Sequence, residues 1–228
     1  NDFHLSPIWV KYLTPKEGEE KPPVEGRFSV TDLIGSPRIR TLKMRFWDSL
    51  SEDLIDRLWR VDGITMDEKL SQVAESFNME RRRYLTKYKM ERRFSINDKR
   101  PMVVGVADLI DLREGEVVDW KRTNQAKVLR GDFDDWWRQV EIYAYLYNMQ
   151  DASVRESLDC LQIRQSTLSI FIRDFKSIRE ESPILEKHRG VSREDRSIDN
   201  YIKGRLLDHL ENPERECLAE EKWTTGDQ

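Results

Sequence analysis

The segment VVGVADLIDLREGEVVDWKRT, from Val103 to Thr123, holds residues whose types and spacing suit chemistry. Asp108 falls near the end of one apolar, β-branched run, and Asp119 and Lys121 fall on the next. Residues i and i+2 of a strand share a face, so Asp119 and Lys121 point the same way, with Val118 and Trp120 opposite. A short turn at Glu114-Gly115 brings Asp108 back toward that pair. Two carboxylates and a peptide carbonyl form a hard oxygen site suited to Mg²⁺, and a neighbouring lysine can orient the attacking water and stabilise charge developing on a phosphate. This is an arrangement for hydrolysing a phosphodiester. A hairpin with charged exposed positions carries the same D-x-K pattern, so the triplet alone assigns nothing.

A second observation is independent of the first. In the following helical pattern Trp136, Gln139, Tyr143 and Leu146 fall at i, i+3, i+7 and i+10, which sets Gln139 within an apolar stripe. Burying an amide without partners costs about 1–3 kcal/mol, so an inward glutamine has a specific task. Bonding to neighbouring backbone is the structural alternative. The run RRRYLTKYKMERR, Arg81 to Arg93, sets seven basic residues against Glu91. Its Arg81, Arg82, Arg83, Lys87 and Lys89 are candidate phosphate contacts, joined by Arg122, Lys127 and Arg130 beyond the acidic cluster. One basic run is ordinarily a solvated face. Basic strips beside clustered carboxylates suit an enzyme that grips a polyanion while holding a divalent metal. Trp136, Trp137, Tyr145 and Tyr147 have the flat faces that stack bases, with core packing as the alternative.

These residues need elements to position them. Tyr84–Ile96, Met102–Leu112 and Glu116–Thr123 read as three strands of an antiparallel meander, with Asn97-Asp98 and Glu114-Gly115 as turns. Phe133–Met149 reads as a helix opened by Asp134 and Asp135, and Leu158–Phe175 as one or two further strands. Ahead of this core, Ser29 or Thr31 caps a short helix, Pro37 starts a second, and Ser51 with Glu52 and Asp53 opens a third. That third helix is expected to break at Gly63 and resume to about Phe77. His188–Ser197 reads as a charged loop and Ile198–Leu210 as a helix. The expected class is α/β: a small mixed sheet flanked by helices, with an N-terminal helical extension. Residues 1–26, including the Pro/Gly/Glu-rich Thr14–Gly26, form a leading segment and linker before a single domain over 27–228.

Composition removes other classes. The 228 residues are 38% apolar and 36% charged, with a net charge of −4, which argues weakly against a passive nucleic-acid coat protein. No apolar run approaches the length of about 18 residues that a spanning helix needs. Two cysteines, Cys160 and Cys217, are too few for a disulfide scaffold or a four-thiolate cluster. His4, His188 and His209 lack metal-ligand spacing. A soluble cytoplasmic chain is expected, whose metal is held by oxygen.

The order G-V-A-Asp108, then Asp119-W-Lys121 after a short turn, then Gln139-x-x-x-Tyr143 on a helix, resembles the RecB-type branch of the PD-(D/E)xK nuclease superfamily, whose core lambda-type exonucleases and the CRISPR adaptation nucleases share. FSVTDLIGSPRIRTLKMR is similar to the N-terminal segment of phage-encoded members, and Arg173–Phe175, Pro183 and Cys217…Trp223 to later landmarks, so the resemblance covers roughly residues 28 to 223. The restriction-endonuclease-like core implied has a helical part at about 28–80, a catalytic part at about 81–180 and C-terminal helices at about 195–223.

The resemblance implies that Asp108, Asp119 and the Trp120 carbonyl hold Mg²⁺ or Mn²⁺, that Lys121 positions the water, and that Gln139 and Tyr143 brace the lysine and contact DNA. The family often places a histidine four residues after a glycine in the preceding helix. Here Gly63 is followed by Asp67, an expected metal ligand turned inward more than Glu68, with a role at the helix N-terminus as its alternative. Glu91 is a candidate second-metal ligand or the ion-pair partner of Arg92 or Arg93. The implied activity is a DNA exonuclease of (phage) replication, recombination or repair, in the host cytoplasm if viral. A structure-selective or nicking endonuclease and a non-catalytic DNA-binding subunit are the alternatives, and RNA as substrate is a third. A helicase, recombinase or single-strand-binding protein as partner, and a homo-oligomer, are left open.

Overall fold

A computed structural model describes residues 22–50, 54–78, 82–160, 162–174, 182–191 and 196–214. The apolar FHLSPIWVKYL stretch, the cap at Ser51 to Asp53, Arg81, Phe175, Cys217 and Trp223 lie outside these residues.

The described chain begins with β1 (Arg27–Ser29), α1 (Val30–Ile34) and α2 (Pro37–Phe46). Ser29 caps α1 by accepting from the Asp32 amide at 3.0 Å, and Pro37 occupies the first turn of α2, where a missing N–H costs nothing. Helix α3 (Leu54–Ser76) runs through Gly63 without the expected break. One glycine costs a helix only about 1 kcal/mol, too little to stop one whose Arg57, Ser71 and Ala74 are buried on either side of it. The strands β2 (Tyr84–Arg93), β3 (Met102–Asp111) and β4 (Glu116–Thr123) form the expected meander, β2 stopping short of Ile96. Then come α4 (Gln125–Arg130), α5 (Asp134–Asn148), α6 (Ala152–Ser157), β5 (Gln165–Ile172), β6 (Ile184–Gly190) and α7 (Arg196–Glu211).

The sheet is mixed, in the order β1-β3-β4-β5-β6 with β2 beside β3. The segment from α4 to α6 is the crossover that lets β5 run parallel to β4, so Leu158–Phe175 supplies one strand. His188–Gly190, read from the sequence as loop, belongs to β6. This strand carries charged residues along its length and is held by backbone pairing from Gln165↔Gly190 to Phe171↔Ile184, the make-up of a protected sheet edge. Strand β1 and helices α4 and α6 were not anticipated, being too short to show a period.

Strand β3 is where the sheet forks. β2 covers one edge from Met102 to Asp111, with one gap in the pairing at Asp108. β1 takes the other edge at Met102–Val104 and β4 takes it at Leu109–Asp111, so the pairing of β3 with β4 ends at Leu109↔Val118. The next residues outward are Asp108 and Asp119.

Helix α5 forms the centre of the core. Val140, Ile142, Ala144, Leu146 and Tyr147 are all buried, as expected for a helix enclosed on most sides. Gly105 lets it approach β3 closely: a Cβ there would lie 2.8 Å from Tyr143 Cδ1. At the far end, the Asn148 amide donates to the Ile163 carbonyl at 3.0 Å and accepts from its N–H at 2.7 Å. Helix α7 closes the domain: Arg205 donates to the carbonyls of Leu33 (3.1 Å), Ile34 and Gly35, the unpaired end of α1. No helix among the described residues is long and apolar enough to cross a membrane.

Candidate active site

The turn that joins β3 to β4 is built locally. Asp111 accepts from the amides of Arg113 (3.0 Å) and Glu114 (3.1 Å), and Arg83 donates to its other oxygen at 2.7 Å. Gly115 turns the chain with a φ of +65°, and any Cβ there would meet the Gln162 carbonyl at 2.8 Å. The turn sets the register in which Asp108 opposes Asp119 at the fork. Asp108 Oδ2 accepts from the Trp120 N–H at 2.9 Å, so its carboxylate replaces the ladder bond lost where the strands part.

From this fork a chain of polar contacts runs to α5. The Lys121 ammonium lies 2.7 Å from Asp119 Oδ2 and donates to Gln139 Oε1 at 2.9 Å. The Gln139 amide nitrogen donates to the Tyr143 hydroxyl at 2.7 Å, which turns the amide oxygen toward the lysine. Gln139 and Tyr143 lie at i and i+4, neighbours on one helix face. The inward glutamine thus spends both ends of its amide on side chains, not on nearby backbone. Asp119 is 1% exposed, and burial pushes its carboxyl well above the ordinary range; Lys121 opposes the shift and Asp108 adds to it. Burial raises the Tyr143 hydroxyl too, with the Asp119 charge adding, so the tyrosine stays neutral.

Helix α3 approaches the fork from β2. Asp67 is partly buried while Glu68 is exposed, as the helical projection predicts. Its Oδ2 contacts the Lys87 ammonium, which lies 3.6 Å from Asp108 Oδ1. Arg122 pairs with Asp62 of the same helix at 2.7 Å and lies over the Phe171 ring.

The donor set suits a hard cation. Asp108 and Asp119 oppose each other, the Trp120 carbonyl is on the same strand, and Asp67 Oδ1 is buried without a hydrogen-bond partner. The Lys87 ammonium already stands as a cation between Asp67 and Asp108. Among the described residues no three His, Cys, Asp or Glu side chains are gathered closely enough to form a ready metal cage.

Among the described basic residues, several are engaged in ion pairs. Arg83 is committed to Asp111, Lys87 to the acidic pair, Arg122 to Asp62 and Lys89 to Glu91 at 3.0 Å. Glu91 is exposed, its carboxyl held down by Lys89 and not by Arg92 or Arg93 as first cause. Lys127 lies over the Trp136 ring at 4.4 Å; Arg82 and Arg130 are exposed. Of the aromatic residues, Trp137 is buried, Tyr145 donates to Asp199 at 2.5 Å and Tyr147 to the Cys160 carbonyl at 2.9 Å, which makes them core. The part of Lys87 in the acidic cluster was missed because it depends on a cross-strand register. The one available signal was a lysine on the strand ahead of Asp108.

The family model for the PD-(D/E)XK nuclease superfamily matches residues 43–222. No curated protein matches the chain. Among solved structures the chain is similar to SSO0001, with a TM-score of 0.62 and 17% identity over 89% of this chain and 83% of that one. It is also similar to a phage related exonuclease from Haemophilus somnus 129PT, with a TM-score of 0.48 and 11% identity over 82% and 93%. The first likeness is one of fold: a mixed sheet between helices, as in the restriction-endonuclease-like core. On the extent of the family match, the chain belongs to the PD-(D/E)XK nuclease superfamily.

Proposed function

We propose that the protein is a divalent-metal-dependent nuclease that hydrolyses phosphodiester bonds in DNA, acting from ends. The observation that carries this reading is the contact chain Asp119–Lys121–Gln139–Tyr143, set beside Asp108 at the fork. Asp108, Asp119 and the Trp120 carbonyl would hold Mg²⁺ or Mn²⁺, with Asp67 at the edge of the set. Such an ion would supply charge neutralisation at the scissile phosphate and make a bound water more acidic. Lys121, held between Asp119 and Gln139, would orient the attacking water and face the charge that builds on the phosphate. Tyr143 stays protonated and holds the glutamine amide in the one orientation that presents oxygen to the ammonium. The exonuclease sense, and a place in phage-type replication, recombination or repair, rest on the resemblance of the motif to the RecB-type branch.

Asp67, standing where the family often has histidine, favours a second reading: a DNA-binding subunit that keeps the fold without cleaving. One experiment separates the two. End-labelled linear and circular DNA, single- and double-stranded, is incubated with Mg²⁺, Mn²⁺ or EDTA, beside Lys121→Ala. Metal-dependent loss of linear DNA that disappears in the variant supports the exonuclease; cutting of circles makes it an endonuclease. Binding without cleavage under either metal leaves only the binding subunit.

A further inference from the structure

Lys87 is unlike the other basic residues of β2. It stands between the pairs Thr86↔Leu109 and Tyr88↔Ala107, opposite Asp108, and itself forms no ladder pair. Its φ of +50° lies in the left-handed region, which a residue with a Cβ adopts inside a strand only when its surroundings hold it there. Its ammonium contacts Asp67 Oδ2 and lies 3.6 Å from Asp108 Oδ1. Asp67 Oδ1 is left buried without a hydrogen-bond partner.

We propose that Lys87 is an internal counter-ion that competes with the divalent metal for Asp67 and Asp108 and so sets the metal affinity of the site. The inference rests on the reading of Asp108 and Asp119 as the metal-holding pair. An ammonium brings one charge and three donors and leaves one Asp67 oxygen unsatisfied, whereas Mg²⁺ or Mn²⁺ brings two charges and binds several oxygens at once. The lysine therefore keeps the carboxylates from repelling each other in the metal-free protein, and yields to a stronger ligand. Its side chain is 43% exposed, and its flexible stem gives the displaced ammonium a way into solvent. Lys87 is a positioning residue here, acting through the carboxylates it holds.

The test is a calorimetric titration of the DNA-free protein with MnCl₂, so that no cleavage enters the readout. Lys87→Met removes the charge, and Lys87→Gly removes it while accepting the left-handed backbone, so a folding defect in the first variant does not decide the matter. Lys87→Arg keeps the charge, and Asp119→Ala reports on the site itself. Both neutral variants are expected to bind Mn²⁺ about ten-fold more tightly than wild type, since one competing positive charge is gone from a partly screened site. Lys87→Arg is expected to stay within about three-fold of wild type, the charge being unchanged. Unchanged or weaker binding in both neutral variants, with binding still lost in Asp119→Ala, overturns the role of Lys87 alone. Binding that Asp119→Ala leaves intact, or wild type that binds no Mn²⁺, overturns the metal-site reading and this inference with it.

Discussion

The Asp108 carboxylate, one residue beyond the last pair of the β3–β4 ladder, accepts a hydrogen bond of 2.9 Å from the backbone N–H of Trp120. The side chain does the work of a main-chain carbonyl there, and holds the two strands at a fixed spacing where the sheet forks. Asp108 therefore has a structural task beside the metal-holding one proposed for it, and substitutions separate them. Asparagine keeps an acceptor for the Trp120 amide and discards the charge; alanine discards both. Asp108→Asn should lose cleavage by about three orders of magnitude or more at little cost in stability, whereas Asp108→Ala should also lose about 1–2 kcal/mol. Urea unfolding of the two variants beside their turnover of labelled DNA checks this. Equal stability of both would show that the hydrogen bond holds nothing.

Gln139 links Lys121 to α5, and in the proposed mechanism it positions the lysine. Gln139→Leu fills the same space and leaves the Lys121 ammonium with Asp119 as its partner. Turnover should fall about 10- to 100-fold, within the range that positioning a proton-transfer or charge-stabilising group spans. KM for DNA should move less than three-fold, an estimate that follows from its acting on the transition state. Steady-state kinetics on a labelled duplex gives both numbers, and a change confined to KM would make Gln139 a substrate contact instead.

Asn148 is 3% exposed and closes a two-way bond with Ile163. Asn148→Leu leaves the Ile163 N–H and carbonyl buried without these partners, and should destabilise the fold by about 2–4 kcal/mol. Chemical denaturation measures it. The site lies at the other end of α5, so activity per folded molecule should be unchanged.

His209 gives the fold an acid limit. The ring is 7% exposed, lies tilted against Phe28 with centroids 5.3 Å apart, and sets Nε2 3.3 Å from the Leu33 carbonyl. Burial pushes its pKa down to about 4, with Arg205 and Arg40 adding to the shift and the Leu33 carbonyl opposing it. Between the ordinary value near 6.5 and about 4 the unfolded chain binds a proton that the folded one refuses. The contribution of the neutral ring is therefore fully present above about pH 7 and falls by about 1.4 kcal/mol per unit through that window, roughly 3 kcal/mol in all. His209→Gln keeps a donor for Leu33 and cannot take up the proton. Stability measured from pH 7.5 to 4 should fall less steeply in the variant, and parallel curves would show that another group sets the acid limit.

Much of the site was legible because its parts are local. Asp119 and Lys121 lie two apart on a strand, Gln139 and Tyr143 four apart on a helix, and the turn between β3 and β4 carries its own Asp111 and Gly115. Alternation and helical period express such relations within a few residues of chain. Ser29 at the start of α1 and Pro37 at the start of α2 are of the same kind.

The sequence by itself determined the meander, the central helix, and which acids and which lysine share the β3–β4 hairpin. Only the tertiary structure decided that β1 and β4 divide one edge of β3, that α3 runs unbroken past Gly63, and that the charged segment up to Gly190 is an edge strand. It also decided that Lys87 contacts Asp67 and lies near Asp108, and that Arg83 and Arg122 pair with Asp111 and Asp62. Main-chain pairing is indifferent to side-chain type, and an ion pair between distant residues leaves no period in the chain. Such contacts exist only once α3, β2 and β3 have packed, so their residue types alone cannot announce them.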